Sequence, residues 1–168
     1  MSEQIGLSEL LIRRLRDGED AGRCAHLMAT SEPWITLGRT HDQSLKILND
    51  PTREIYVAVS NDQLMGFIIL NMKGAFIGYI QTVCISPEWR NRGIGSVLLK
   101  FAEERILSET PNVFMCVSSF NNEALRLYKR LGYEVIGELK DYIVAGYSEI
   151  LLRKTTAPLT DFQVKTNS

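Results

Sequence analysis

The chain has 168 residues, with 19 basic and 20 acidic side chains, a formal net charge of −1 and 45% apolar residues, the make-up of one ordinary globular domain. At this length roughly 70% of the surface of the unfolded chain is buried on folding, enough for a full core without structural metals or cross-links. A pI of about 6.1 supplies no broad positive field, which argues against nucleic acid as a partner.

The first ten residues, MSEQIGLSEL, lack the charged-then-apolar pattern of an export signal. The longest apolar runs, such as Phe67 to Leu70, are far too short to span a bilayer, so a cytoplasmic location without membrane attachment is expected. Cys24, Cys84 and Cys116 are odd in number and each sits among apolar residues, the pattern of reduced, buried thiols. No linker or repeat divides the chain, which reads as one domain over residues 1–154 followed by a polar tail over 155–168.

Leu11-Ile12-Arg13-Arg14 reads as a first strand, after which Asp20 can cap a helix over Ala21 to Ala29; Gln43 to Leu48 reads as a second short helix. The period then changes. Ile55, Val57 and Val59 alternate, Asn61-Asp62 supplies a turn, and Leu64 to Leu70 returns as the second arm of an antiparallel hairpin. After a turn at Lys73-Gly74, Phe76 to Ile85 is long, β-branched and nearly uncharged, as a central strand should be, and Ser86-Pro87 ends it. Ile94, Val97, Leu98, Phe101 and Ala102 mark one face of an amphipathic helix, with Lys100, Glu103 and Glu104 on the other. Val113 to Val117 follows as a strand that a helical crossover places parallel to the previous one. Ala124, Leu127, Tyr128 and Leu131 repeat the helical spacing, with Asn121 or Asn122 to cap and Gly132 to stop. Strands around Tyr133 to Val135 and Tyr147 to Leu152 complete an α/β sheet.

The segment from Val83 to Ser96, VCISPEWRNRGIGS, joins a buried strand to a helix through a turn rich in glycine and arginine. At a helix start several backbone N–H groups lack internal partners and the peptide dipoles add partial positive charge, so an anion is stabilised there. Arg90 and Arg92 add full charges whose guanidinium forks suit phosphate oxygens. A dinucleotide fingerprint would need a third glycine where Leu98 stands, and no Gly-Lys-Ser/Thr supports a P-loop.

Arg90-x-x-Gly93-x-Gly95, after an apolar strand and Ser-Pro, resembles the acyl-CoA motif of the GNAT superfamily of N-acetyltransferases. Asn121 to Tyr133 is similar to the second motif of that family, in the correct order. The resemblance spans about residues 11 to 153. It implies an α/β fold with a mixed, mostly antiparallel central sheet, parallel and splayed fourth and fifth strands, and about four flanking helices. It also implies acetyl-CoA as acyl donor, no metal, and direct transfer of the acetyl group to a primary amine of a small molecule, peptide or protein. Val83, Cys84, Ile85, Arg90, Asn91, Arg92, Gly93, Ile94, Gly95, Ser96, Asn121 and Tyr128 are the implied cofactor contacts, with Val83 and Ile85 offering main-chain groups to the pantetheine arm. A homodimer is compatible with the resemblance.

Acetyl transfer needs a deprotonated amine, a polarised carbonyl and a proton for the departing thiolate. Tyr128, at the family's spacing after Asn121, is the implied acid, although its place on an apolar helical stripe equally suits a buried ring. Asn121 either caps its helix or also bonds a CoA amide or water, and a backbone N–H near Val83 is placed to meet the carbonyl oxygen. Many bacterial relatives carry a carboxylate on the fourth strand, but the corresponding position here holds Gln81. Glutamine cannot accept the proton, so a water relay toward Glu138, Asp141 or Glu149 is expected. Trp34, Tyr79 and Tyr142 either line the acceptor pocket or pack in the core. His26 and His41 are isolated and lack the spacing of a metal site. Two rivals accompany this reading: a ping-pong thioester on Cys84 or Cys116, and a non-catalytic acyl-CoA sensor or interaction domain that keeps the phosphate turn without a base.

Overall fold

The computed structural model describes residues 10–164, so the N-terminal segment read for export signals and the last four residues of the polar tail lie outside the described residues. Seven strands form one sheet: β1 (Leu11–Arg14), β2 (Arg53–Ser60), β3 (Gln63–Asn71), β4 (Tyr79–Ile85), β5 (Asn112–Ser118), β6 (Glu134–Lys140) and β7 (Ser148–Thr155), in the order β1-β2-β3-β4-β5-β7-β6. The four α-helices are α1 (Gly18–Ala29), α2 (His41–Leu48), α3 (Ile94–Leu107) and α4 (Asn122–Arg130). None of the described helices is long and apolar enough to cross a membrane.

Every neighbouring pair of strands is antiparallel except β4 and β5, which run parallel and pair only at Tyr79↔Phe114 and Ile80↔Met115. Beyond that rung they diverge. Gly78 makes the closed end of the gap possible: its φ is +86°, and a Cβ there would stand 2.6 Å from the Asn112 carbonyl oxygen. Only glycine allows the two backbones to approach this closely.

Two apolar layers cover the sheet. On one face α3 buries Ile94, Leu98, Leu99, Ala102 and Ile106 against Ile68, Leu70, Ile80 and Val113. On the other, α1 and α2 cover Val57, Phe67, Ile69 and Cys84. Fully burying one Leu or Ile side chain stabilises the fold by about 1.5–3 kcal/mol, so the α3 stripe alone anchors the turn before it.

Several expected boundaries shift. Asp17, not Asp20, caps α1, accepting from the Glu19 and Asp20 amides at 3.0 Å. Asp20 lies inside the helix, where Arg13 of β1 meets it at 2.6 and 3.2 Å, and that fork holds its carboxyl below the usual range. The central strand starts at Tyr79 rather than Phe76: Gly78 turns the chain into the left-handed region, leaving Phe76 and Ile77 exposed. β6 extends to Lys140 as an exposed edge. β7 ends at Thr155, and the Thr156 amide still donates to the Pro111 carbonyl before a short 3₁₀ turn at Leu159–Asp161.

Candidate active site

Two cavities meet in the gap between β4 and β5. The first, about 710 Å³, lies at the strand-to-helix turn and is walled by β4, the start of α3 and the apolar face of α4. The second, about 650 Å³, lies toward the closed end of the gap, under the segment after α1 and the loop between β6 and β7. Pro33, Trp34, Val83, Asn121 and Tyr128 line both and mark the junction.

The turn itself is a left-handed corner. Asn91 has φ +59° and Gly93 φ +84°, and α3 begins at Ile94 with no side-chain cap. Its first internal bond runs from the Val97 amide to the Gly93 carbonyl at 3.1 Å, so the amides of Ile94, Gly95 and Ser96 precede any intrahelical partner. A Cβ on Gly93 would meet nothing within 4 Å, so the corner is open on that side. Unpartnered amides, a helix dipole and an open corner fit a diphosphate.

The expected cofactor contacts mostly converge here. Val83, Cys84, Ile85, Arg90, Asn91, Gly93, Gly95, Ser96, Asn121 and Tyr128 all line the first cavity. Arg92 and Ile94 do not: the Arg92 guanidinium stacks 4.8 Å from the Trp89 ring centroid, and the Ile94 side chain is in the core. Arg90 Nε donates to the Ile85 carbonyl at 3.2 Å, so that main-chain acceptor already has a partner. Arg130, on the last turn of α4, is a further cation in this wall that the sequence did not single out.

At β4 the ladder with β3 slips. Ile69 pairs with Thr82 and Leu70 with Ile80, which leaves Gln81 as the extra residue of a bulge. Bulges bend a strand and redirect side chains, and here the bulge residue lines the second cavity with a buried Oε1 that has no hydrogen-bond partner. An orphaned acceptor of this kind calls for a water or an N–H from a bound molecule.

Of the three carboxylates expected in a relay, only Glu149 lines that cavity. Glu138 is exposed on β6, and Asp141 accepts from the Gly146 amide at 2.7 Å in a turn. Glu149 is buried on β7 opposite Ser118 of β5, whose Oγ donates to Oε1 at 2.6 Å. Burial pushes its carboxyl above the ordinary value, and the Ser118 bond opposes that only in part.

Tyr128 makes no hydrogen bond through its hydroxyl among the described residues, and burial pushes the phenol up to about 12. Asn121 caps α4, accepting from the Ala124 amide at 3.3 Å, and also lines both cavities. Trp34, Tyr79 and Tyr142 come together in the second cavity; Trp34 is also core. Burial, then the neighbouring Cys116, raises the Tyr79 phenol. Cys84 is sealed from solvent and its thiol is pushed up to about 12; burial raises Cys116 as well. Neither is an activated nucleophile. Arg39 and Arg53, which no motif marked, stand in the same wall.

The sequence profile of the Acetyltransferase (GNAT) family matches residues 21–133. The chain belongs to that family. It is similar to the peptidyl-lysine N-acetyltransferase YjaB of Escherichia coli (strain K12), 31% identical over 131 residues that cover 75% of this chain and 83% of the relative. Among solved structures, it resembles an aminoglycoside 6'-N-acetyltransferase complexed with coenzyme A: TM-score 0.71, 18% identity, 88% of this chain and 98% of that one. It also resembles the ribosomal-protein-S18-alanine N-acetyltransferase of Escherichia coli, with a TM-score of 0.70, 15% identity, and coverage of 92% and 99%. The protein is therefore an acetyl-CoA-dependent acetyltransferase with the open, mixed sheet of its family, its parallel β4–β5 pair included.

Proposed function

We infer that this enzyme transfers the acetyl group of acetyl-CoA directly to a primary amine, with donor and acceptor bound together in the β4–β5 gap. The observation that carries the reading is the junction of the two cavities, which brings Val83, Asn121 and Tyr128 between an uncapped helix start and a buried carboxyl. The amides of residues 94–96 and the Arg90 and Arg130 side chains hold the CoA diphosphate, while the edge of β4 beyond Ile80, unpaired with β5, offers main-chain groups to the pantetheine arm.

An amine with a pKa of roughly 10 arrives as an ammonium ion at neutral pH. Glu149 takes its proton through a water held by the Gln81 Oε1. A carboxyl raised by burial is a better base than an exposed one, because its pKa lies closer to working pH. The freed amine forms the new C–N bond to the acetyl carbon as the C–S bond breaks, and the proton that the nitrogen then sheds passes through water to the departing CoA thiolate. A backbone N–H near Val83 meets the carbonyl oxygen, and Tyr128 donates a hydrogen bond to the sulfur.

Calorimetry with CoA, coupled to thiol release from acetyl-CoA across a panel of amines, tests this. Micromolar CoA binding, with amine-dependent release and no acetyl label left on the protein, is expected. Absence of CoA binding, or a stable acetyl-protein adduct formed before amine is added, overturns it.

A further inference from the structure

The second cavity is unusual in its charge. Its wall carries Arg39, Arg53 and Glu149. Two guanidiniums therefore share this wall with a single carboxyl, the base assigned above, and outnumber it. Arg39 follows the turn after α1, with its backbone fixed by a 2.9 Å bond from its amide to the Trp34 carbonyl. Its half-buried side chain makes no hydrogen bond or ion pair among the described residues. Arg53 opens β2. Its Nε stands 3.4 Å from Asp50 Oδ2, outside hydrogen-bond geometry, and is buried without a hydrogen-bond partner. The cavity thus holds one unpaired guanidinium and one loosely paired one.

Register places Arg53. Arg53 pairs across the sheet with Asn71, and Asn71 with Tyr79, so Arg53 shares the rung that closes the gap. At about 3.3 Å per residue along β4, that rung stands about 10–13 Å from Val83, where the acetyl carbonyl is expected. Arg53 lies two strands, about 9.5 Å, to the side of Tyr79, which puts its Cα about 14–16 Å from Val83; its side chain spans part of this distance and leaves about two residues' length between the amine and its guanidinium. Trp34, Tyr79 and Tyr142 supply an apolar surround.

Such a wall repels a second ammonium group and attracts an anion, for which the guanidinium fork has matching bidentate geometry. We propose that the acceptor is a primary amine that also bears a carboxylate, an amino acid or dipeptide with an apolar side chain, whose anion Arg39 and Arg53 bind. The inference rests on the acetyltransferase reading of the same cavity. Polyamines and aminoglycosides, which carry several positive charges and no anion, are poor fits to this wall.

Thiol release from acetyl-CoA is measured with matched pairs: phenylalanine and phenylalaninamide, methionine and methioninamide, glycyl-phenylalanine and its carboxamide, with spermidine and kanamycin alongside. Each acid should exceed its carboxamide at least about tenfold in kcat/KM, and Arg39→Gln or Arg53→Gln should lower acid turnover by about 10- to 100-fold and bring the ratio toward one. Acetyl-CoA affinity of each variant, read by calorimetry, shows that the protein is folded. Carboxamides or polyamines acetylated as well as the acids overturn the inference and leave the acetyltransferase reading intact. Bound acetyl-CoA with no acid acetylated overturns it too. Failure to bind acetyl-CoA at all removes the underlying reading instead.

Discussion

Tyr128→Phe deletes one oxygen at the junction of the two cavities and nothing else. Burial holds the phenol at about 12, whereas a thiol of the cysteine type titrates near about 8.5. Complete proton transfer from a phenol raised in this way to such a thiolate is uphill by a few kcal/mol, at about 1.36 kcal/mol for each unit of pKa. In the proposed mechanism the hydroxyl therefore serves as a hydrogen-bond donor to developing charge on sulfur, a bond of about 1.5–3 kcal/mol. The variant should lose about 10- to 150-fold in kcat, with CoA affinity changed by less than about twofold. Because the hydroxyl has no partner among the described residues, Tm should hold or rise. Thiol-release kinetics, calorimetry and thermal unfolding on one preparation give all three readouts. An unchanged kcat removes Tyr128 from the reaction. A loss beyond about 10³-fold means that the proton is fully transferred, as in general acid catalysis worth up to about 10⁴-fold, and refutes the weak-acid argument.

Glu149→Gln should lower kcat/KM by about 10²- to 10⁴-fold and abolish an acid limb that lies above the ordinary carboxylate range. The sign of the stability effect follows from the same shift. A carboxyl raised by folding favours the native state below its unfolded value of about 4.3 and loses that contribution as pH rises through the folded value. The glutamine variant should gain Tm over the parent at pH 8 and lose that gain near pH 4; an acid limb unmoved by the substitution excludes Glu149 as base. Gly93→Val forces a β-branched residue to φ +84°, with strain of at least about 1–2 kcal/mol, and should weaken CoA binding about tenfold or more. Gly93→Asn, which tolerates that conformation, should recover most of the affinity, and equal binding by the valine variant would show that the corner does not hold CoA.

The elements that the sequence announced are those whose signals are local. The α3 stripe and the Arg90-to-Ser96 turn are contiguous, and the same residues that form them also do the packing and, on the reading above, the binding. The Asn121 cap is similarly local. Asp17 and Asp20 both suit a helix start, and Arg13, seven residues before Asp20 on the neighbouring strand, takes the Asp20 carboxylate at 2.6 Å and leaves Asp17 as the cap. Glu149 illustrates the larger gap. Nothing in Tyr147 to Leu152 distinguishes it from an exposed strand carboxylate, and its burial depends on standing opposite Ser118, 31 residues away. Gln81 stands out in the sequence for the carboxylate it replaces, but its bulge is a slip between β3 and β4 that alternation along one strand cannot reveal. Arg39 and Arg53 belong to separate elements and share a cavity only because the chain folds.

The gap and the bulge form one device. Continuous pairing of β4 with β5 would bind the main-chain edge of residues 81–85 to β5 and leave no room for a ligand between the strands. Pairing stops after Ile80, and the next residue is the bulged Gln81. The extra residue also lets Ile80 and Val83, three apart, pack into the same apolar layer, where regular alternation would send them to opposite faces. Cys84 consequently turns to the layer beneath α1 and α2. One inserted residue thus stands where the β4–β5 pairing ends, leaves an unsatisfied amide oxygen in the second cavity, and keeps both cores filled. Deleting Gln81 should for that reason damage more than acceptor binding: it would restore strict alternation, exchange the faces of the residues on one side of the bulge, and unfold the central sheet rather than yield a folded, inactive enzyme.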